Sequence, residues 1–138
     1  MNRVGARASR KRRRMTRQRR AILEALRGSR AHPTAEGIHR LVRGSLPRIS
    51  LGTVYRNLDV LCGAGQALRL ECAGGRRRFD GTTAPHYHVR CRSCGAVADV
   101  AVEAPAGLEA AARRACRYEI LGYRLEFVGL CRRCRRRK

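Results

Sequence analysis

The chain has 138 residues, enough for one domain or two small lobes, and 43% of them are hydrophobic, which favours a folded core over general disorder. Lysine and arginine number 32 against 10 acidic residues, a formal charge of +22, so we expect a polyanionic partner, nucleic acid before an anionic membrane. No apolar run is long enough for a membrane span or a secretory signal, which predicts a cytoplasmic protein without a membrane partner.

Residues 1–14 are rich in arginine and lack any apolar periodicity. This composition predicts a disordered basic arm. The arm either contacts DNA phosphates or the minor groove, or serves only as a solubilising leader. Charge alone does not separate these two roles.

Two amphipathic helices follow the arm. Thr16 is suited to cap the first helix, whose apolar positions recur at helical spacing and stop near Gly28. Thr34 is suited to cap the second helix, which ends near Gly44. The predicted buried face of this second helix consists of Ala35, Ile38, Leu41 and Val42.

A third helix has the side chains of a major-groove reader. Ser50 caps it, and Gly63 and Gly65 end it. Its buried stripe consists of Leu51, Val54, Leu58 and Leu61. Its opposite face carries Thr53, Tyr55, Arg56 and Asn57. Arginine and asparagine can bond base edges bidentately, and the other two can meet phosphates or thymine methyls. An ordinary solvated face is the alternative.

A hairpin is predicted directly after the third helix. Residues 66–72 alternate as a strand, Gly74-Gly75 forms the turn, and residues 76–80 return. Three helices followed by a basic-tipped hairpin predict a winged helix-turn-helix domain over residues 15–80.

Beyond a hinge at residues 81–86, the composition predicts a small α/β domain over residues 87–138. Strands are expected at 87–91 and 96–102, a helix from about 105 to 116, and a long strand from about 118 to 129. Exposed strand edges favour pairing with a second copy, and reading two half-sites requires a twofold axis, so we expect a homodimer. The predicted fold class is α+β, with an N-terminal winged helix-turn-helix domain and a small C-terminal α/β dimerisation domain.

Four cysteines form two CxxC pairs, Cys91/Cys94 and Cys131/Cys134. Two such turns can close a tetrahedral Zn²⁺ shell with no position left for water, which describes a structural site. Two disulfides or a redox CxxC are the alternatives, but nothing in the sequence indicates an oxidising compartment. The remaining thiols are expected to be buried and structural, or else redox partners; they are Cys62, Cys72 and Cys116.

A set of motifs in fixed order resembles the ferric uptake regulator superfamily over residues 15–134. The motifs are MTRQR at 15–19, AHPTA at 31–35, TVYRNL at 53–58, RFD at 78–80, HYH at 86–88 and the two CxxC pairs. The resemblance implies a dimeric, metal-dependent transcriptional repressor that binds a palindromic operator in double-stranded DNA. It also implies a four-cysteine zinc site and a separate regulatory metal site. The implied DNA-binding residues are Arg19, Thr53, Tyr55, Arg56 and Asn57.

The same resemblance supplies the regulatory ligands. They are His32, Asp80, His86, His88 and Asp99. Three imidazoles and two carboxylates form a five-coordinate N/O site with an open position, which suits Fe²⁺ or Mn²⁺. Aspartate at both carboxylate positions resembles the peroxide-sensing PerR branch of the superfamily, whereas iron sensors more often have glutamate there. The resemblance therefore implies a repressor that senses peroxide through metal-catalysed oxidation of a ligand histidine.

Three alternatives remain. Within the superfamily, the chain would be an iron- or manganese-responsive uptake regulator without peroxide chemistry. Outside it, a basic RNA-binding protein stabilised by a structural zinc ion would account for the charge but not for the ordered motifs. An enzyme is not expected, because no helix-borne general base or glycine-rich cofactor loop accompanies the histidines. The sequence departs from the superfamily at Arg17, where proline is usual, and it lacks the histidine of a third metal site between residues 122 and 131.

Overall fold

A computed structural model describes residues 14–71 and 76–137. The chain divides between Ala84 and Pro85, inside the predicted hinge, into two compact units. We call the described residues up to 84 the N-terminal unit and those from 85 onward the C-terminal unit. Three predicted features lie outside the described residues, so the predictions made for them are untested: the first 13 residues of the basic arm at 1–14, the Gly74-Gly75 turn and Cys72. Every helix in the two described ranges falls short of the length and hydropathy that a bilayer crossing requires.

The N-terminal unit contains the three predicted helices. They are α1 (Arg17–Arg27), α2 (Ala35–Val42) and α3 (Leu51–Gly63). Thr16, Thr34 and Ser50 cap them as predicted, because each side-chain oxygen accepts a hydrogen bond from the backbone N–H three residues later. The caps explain where each helix begins.

One hydrophobic core joins the three helices. Its largest side chain, Phe79, is 1% exposed and packs with buried residues of all three helices. The prediction that Leu41 lies in the core is wrong, since this side chain is 58% exposed. Ile38 and Val42 lie one helical turn apart and face the core, whereas Leu41 lies about 100° away from Val42 around the helix axis.

A two-stranded hairpin completes the N-terminal unit. Strands β1 (Leu68–Leu70) and β2 (Arg78–Asp80) are antiparallel, with Arg69 opposite Phe79, and both are shorter than predicted. Gly81 follows β2 and is packed against α1, because an added Cβ would lie 2.8 Å from the backbone nitrogen of Arg27. Three helices with this hairpin confirm the winged helix-turn-helix.

The C-terminal unit is a small sheet with two helices. Its elements are β3 (Tyr87–Cys91), β4 (Val97–Val100), α4 (Leu108–Ala115), β5 (Glu126–Gly129) and α5 (Arg132–Arg135). The strand order is β4-β3-β5, with β3 antiparallel to β4 and parallel to β5. Strand β3 has its predicted bounds, whereas β4 and α4 are shorter than predicted and α5 was not predicted. The α+β fold class is confirmed.

The long strand predicted over residues 118–129 is wrong except for its last four residues. In the parallel register, His88 pairs with Glu126, so residue 125 would lie opposite Tyr87 at the start of β3, and residues before 125 would need partners before β3. Residues 119–125 are irregular instead, because a strand without a hydrogen-bonded neighbour does not persist. The irregular segment is fixed instead by the hydroxyl of Tyr123, which lies 2.9 Å from that of Tyr87.

The C-terminal unit has a very small core. Tyr87, Cys91 and Val97 are the only buried hydrophobic residues among its described positions. In contrast, Phe127 is 39% exposed and Val128 is 59% exposed. A unit of this size with so little buried apolar surface requires a metal ion or a partner subunit for stability.

Candidate metal centres and nucleic-acid interface

The four CxxC cysteines come together in the C-terminal unit. Cys91 ends β3, Cys94 lies in the following turn, and Cys131 and Cys134 lie at the start of α5 and within it. All four Sγ atoms lie within 4.8 Å of one another, and those of Cys94 and Cys131 are 3.7 Å apart. Zinc–sulfur bonds of about 2.3 Å in a tetrahedron separate the sulfur atoms by about 3.8 Å. The cluster therefore fits a closed tetrahedral zinc site.

Backbone N–H groups prepare two of these thiols for ionisation. Hydrogen bonds from the Cys131 and Cys94 backbone lower the pKa of Cys91 to about 6, and the Cys131 N–H lies 3.3 Å from Cys91 Sγ. The backbone N–H two residues later lowers the pKa of Cys94. The Ser93 hydroxyl lowers the pKa of Cys134, but Cys131 and burial outweigh it, so that pKa is raised. Four thiolates this close repel one another, so all four thiols can ionise together only around a bound cation.

The disulfide alternative is wrong, because all four cysteines are free thiols. The separation of 3.7 Å between Cys94 and Cys131 is far longer than the roughly 2.05 Å of a sulfur–sulfur bond. Cys62 is half-buried, and burial raises its pKa, as expected for a structural thiol. Cys116 was also expected to be buried, but it is exposed at the end of α4, where its thiol donates to the carbonyl of Ala112.

Two of the predicted regulatory ligands meet in the N-terminal unit. His32 precedes α2 and Asp80 ends β2, and the side chains are 2% and 3% exposed, with His32 Nδ1 3.7 Å from Asp80 Oδ2. The Thr82 N–H donates to the other carboxylate oxygen at 2.7 Å, which fixes the orientation of Asp80. His32 has a φ of +43°, a left-handed conformation that costs energy for a non-glycine residue. Strained backbone of this kind is concentrated at functional sites in proteins.

The other three predicted regulatory ligands meet in the C-terminal unit. His86 precedes β3, and His88 on β3 is directly opposite Asp99 on β4. The Nε2 atoms of His86 and His88 lie 3.3 and 3.5 Å from Asp99 Oδ1. The two rings meet edge to face with centroids 4.4 Å apart. Three side chains thus present nitrogen and oxygen atoms to one point.

The fourth histidine of the chain has a structural role. His39 lies on α2, and its Nε2 atom is 2.9 Å from the carbonyl oxygen of Ile49. This contact ties α2 to the segment before α3. His39 therefore lies outside both groups of predicted ligands.

The exposed face of α3 carries part of the predicted DNA-binding set. Tyr55 and Arg56 are exposed, and Thr53 is half-buried. The Arg56 guanidinium donates to the Thr53 hydroxyl at 3.1 Å, and that hydroxyl also contacts the cap Ser50 at 2.9 Å. On α1, the half-buried Arg19 donates from its side chain to the carbonyl of residue 14. Arg56 and Tyr55 can reach a ligand from solvent without rearrangement of the fold.

Asn57 does not face solvent, and that prediction is wrong. Its side chain is 7% exposed, and its amide donates to the carbonyl of Thr53 at 3.0 Å. Asn57 follows the buried Val54 by three residues and precedes the buried Leu61 by four, which places it on the apolar stripe. This spacing predicts a buried position for Asn57, although its polar side chain suggests an exposed one.

One residue of this surface was not predicted. Glu36 lies in the first turn of α2, and its carboxylate accepts a hydrogen bond from the Tyr55 hydroxyl at 3.0 Å. The two residues are 19 positions apart, so no local pattern in the sequence pairs them.

Comparison with known proteins gives consistent results. The sequence model of one protein family, the ferric uptake regulator family, matches residues 10–128 of this chain. The peroxide operon regulator of Bacillus subtilis (strain 168) is 37% identical over 125 residues, which cover 91% of this chain and 86% of that protein. The peroxide-responsive repressor PerR of Staphylococcus saprophyticus (strain ATCC 15305) is 36% identical over 88% of this chain and 82% of its own. A solved zinc-bound manganese uptake regulator is 30% identical, with a TM-score of 0.63 over 86% of this chain and 90% of its own.

Proposed function

The chain belongs to the ferric uptake regulator family, and from that premise we propose that it is a metal-dependent transcriptional repressor that senses peroxide. The observation that carries this proposal is the pair of histidine–aspartate groups, which contain no cysteine. Nitrogen and oxygen ligands suit Fe²⁺ and Mn²⁺, and the peroxide operon regulator of Bacillus subtilis is similar over 91% of the chain. The proposed role is that of a regulator and not of an enzyme, in the cytoplasm, where operator DNA is accessible.

The proposed DNA contact is the exposed face of α3. Tyr55 and Arg56 project from it, and the Arg56 guanidinium can form two bonds to a guanine edge. Arg19 on α1 and Thr53 are proposed to meet phosphates. Asn57 is proposed to hold α3 in place rather than to touch DNA, because its side chain is buried.

The proposed homodimer forms through the C-terminal unit. Strand β5 is an edge strand, and its Phe127 and Val128 are exposed apolar side chains. A second copy would cover this surface and supply the twofold axis that a palindromic operator requires.

Zinc at Cys91, Cys94, Cys131 and Cys134 is proposed to stabilise the dimerising unit. The spacing of the sulfur atoms fits a zinc tetrahedron, and the loop that the ion would close runs from β3 to α5. Structural zinc contributes on the order of 10 kcal/mol of apparent folding energy. Because all four positions are thiols, no site remains on this ion for water or peroxide.

The regulatory ion is proposed to take all five predicted ligands. The His32–Asp80 pair offers two ligand atoms, and the cluster around His88 offers three. Neither group alone reaches the five or six ligands that Fe²⁺ and Mn²⁺ prefer. Ligands drawn from both units would favour a single arrangement of the chain, and the ion would then act as a corepressor. Loss of one ligand would release that arrangement and derepress the target genes.

Bound Fe²⁺ would supply the redox chemistry by reducing peroxide, with an imidazole ring as the group that gains the oxygen atom. The buried position of His32 keeps bulk water from its ring, and the bond from Thr82 keeps the Asp80 carboxylate directed at it. His86 and His88 contact each other, so the oxidation of either ring would disturb both.

Mass spectrometry of peroxide-treated protein tests the proposal. Protein loaded with Fe²⁺ or with Mn²⁺ is exposed to low-micromolar hydrogen peroxide and then assayed for DNA binding. We expect His32 or His86 to gain one oxygen atom, with loss of DNA binding, in the iron form only. His39 is an internal control because it lies outside both ligand groups, and cleavage after Glu36 separates it from His32.

The outcome distinguishes the two candidate functions. The manganese uptake regulator among the similar structures favours a reversible metal sensor as the second candidate. Unmodified histidines with intact, metal-dependent DNA binding would support that sensor and contradict peroxide sensing. Equal oxidation of His39 and His32 would also contradict the proposal, because the chemistry would then not be local to a bound ion.

A further inference from the structure

A dense group of arginines at the end of the C-terminal unit supplies no ligand to either proposed metal site. Arg132, Arg133, Arg136 and Arg137 line an open hollow of about 680 Å³ beside α5. We call these four residues the arginine hollow. All four are exposed, residues 127–137 contain no acid, and within the described ranges none of the four pairs with a carboxylate.

The arginine hollow is built on a fixed support. Helix α5 begins after Cys131 and contains Cys134, so two of the four clustered thiols hold it. The Cys131 backbone N–H lies 3.3 Å from Cys91 Sγ, which joins the start of α5 to the end of β3. The guanidinium of Arg133 bonds the sulfur of Cys94. These contacts distinguish the hollow from a loose charged tail, because less side-chain and backbone freedom would be lost on binding.

Four guanidinium groups around one hollow repel one another, and a polyanion would relieve that repulsion. Each guanidinium can hold a phosphate through two parallel hydrogen bonds. We propose that the arginine hollow is a second DNA contact, which binds the phosphates of the duplex without regard to sequence. This inference rests on the proposed function, because operator binding would bring the duplex to the protein.

The test compares two variants that lose the same charge. Arg132→Gln, Arg136→Gln and Arg137→Gln are combined to remove three charges from the hollow, and Arg133 is kept because it contacts Cys94. The matched control combines Arg113→Gln, Arg114→Gln and Arg117→Gln, three exposed residues around the end of α4. Zinc content, melting temperature and oligomeric state are measured first and should match the wild type in both variants.

Binding is then measured from 50 to 200 mM salt on two duplexes. One is a palindrome selected from random DNA by the Mn²⁺-loaded wild type, and the other is its scrambled counterpart. Three lost phosphate contacts should reduce the salt slope by about 2.7, so the wild type should lose about 40-fold more affinity than the variant over this range. The reduction should be equal on both duplexes and absent from the control.

Two kinds of outcome would overturn the inference. An unchanged slope, or an equal change in the control variant, would show that the hollow is only solvated charge. A reduced slope on duplex RNA of equal length but not on DNA would assign the hollow to RNA. Failure of the wild type to select any palindrome would instead overturn the proposed function, and a random-sequence duplex of the same length would still report on the hollow.

A separate observation concerns Glu36, an acid on the face proposed to contact DNA. The Tyr55 hydroxyl donates to its carboxylate at 3.0 Å. A hydrogen bond from its own backbone N–H, then those from Tyr55 and Thr34, lower the pKa of Glu36, so it is ionised at neutral pH. A negative charge on this surface of a strongly basic chain opposes phosphate binding unless it has another purpose.

We infer that Glu36 is a positioning residue for Tyr55 and a determinant of DNA specificity. The hydrogen bond holds the Tyr55 ring in one orientation on α3 before DNA arrives. The carboxylate also repels phosphates, which penalises duplexes held by their backbone alone and favours those held by base contacts. This inference rests on the proposed use of α3 in operator binding.

Three substitutions separate the two effects. Glu36→Gln keeps an acceptor for Tyr55 but removes the charge, so it should raise affinity for the scrambled duplex about two- to fivefold and leave the palindrome less affected. Glu36→Ala and Tyr55→Phe should each weaken palindrome binding, and their combination should weaken it no more than either alone.

Additive effects of Glu36→Ala and Tyr55→Phe would overturn the positioning role. An unchanged ratio of palindrome to scrambled affinity in Glu36→Gln would overturn the specificity role. Melting temperatures of all variants identify any loss that comes from folding. A wild type that selects no palindrome would contradict the proposed function itself.

Discussion

Two residues of α3 that are neighbours in sequence have opposite environments. Arg56 is exposed, whereas Asn57 is buried and donates to the carbonyl of Thr53 one turn earlier. A buried amide with a fixed partner stabilises the helix that carries the exposed arginine. If Arg56 contacts DNA as proposed, mutations at these adjacent positions should separate stability from DNA binding.

Asn57→Ala should lower the free energy of unfolding by about 1 kcal/mol, because one buried hydrogen bond and its packing are lost. Chemical denaturation measures this change. Arg56→Ala is the matched control and should leave the free energy of unfolding within about 0.5 kcal/mol of the wild type while it weakens operator binding. An Asn57→Ala variant of normal stability but altered base preference would return Asn57 to the DNA contacts.

The lowered pKa of Cys91 predicts how acid affects the zinc site. The pKa of Cys91 is about 6, below its ordinary value of 9.0, so the thiolate is available above pH 6 and is lost as the pH falls through that value. Bound zinc lowers it further, so zinc release on acidification should have a midpoint below pH 6. A colorimetric chelator measures the release. Complete release at pH 7 would contradict the assigned hydrogen bonds.

At the scale of elements, the parts with strong local signals were predictable and the parts set by distant partners were not. The side-chain caps at Thr16, Thr34 and Ser50 are local, and α1, α2 and α3 begin where the sequence indicates. The strand predicted from about residue 118 is absent before 126, because β3 is too short to give residues before 125 a neighbour. The pairing of Tyr55 with Glu36 and the approach of Asp80 to His32 also depend on tertiary structure. The five proposed regulatory ligands are assigned only through the family motifs.

The close packing of Gly81 against α1 is a further element contact with a measurable cost. Gly81→Ala should destabilise the N-terminal unit by about 1–3 kcal/mol, because the added Cβ would meet the Arg27 backbone at 2.8 Å. Gly44→Ala is the control, since its Cβ would meet nothing within 4 Å. Thermal unfolding of both variants checks the prediction. Equal stability of the two would show that the chain after β2 is displaced from α1.

At the scale of the whole molecule, the two units differ in what stabilises them. The N-terminal unit has a continuous core, whereas the described part of the C-terminal unit buries three apolar side chains and exposes β5. The first unit has the contacts of an independent domain, whereas the second needs a metal ion or a partner subunit, which are the roles proposed for zinc and for the second copy.

Val128→Glu tests the proposed dimer surface, because a charge on β5 would be buried unpaired between two copies. We expect a monomer by light scattering, with zinc retained and operator affinity reduced. Leu41→Glu is the matched control, since Leu41 is equally exposed at 58% against 59% but belongs to the N-terminal unit. A Val128→Glu protein that remains dimeric would place the interface elsewhere.

The separation of the four thiols along the chain also sets an order of events during synthesis. Cys91 and Cys94 leave the ribosome well before Cys131 and Cys134, and the N-terminal unit precedes them all. Since domains fold in the order in which they emerge, the winged helix can fold before the zinc site can close. A newly made chain would then pass through an immature stage with a folded winged helix and no partner. The supply of zinc would thus determine how many translated copies mature into repressors.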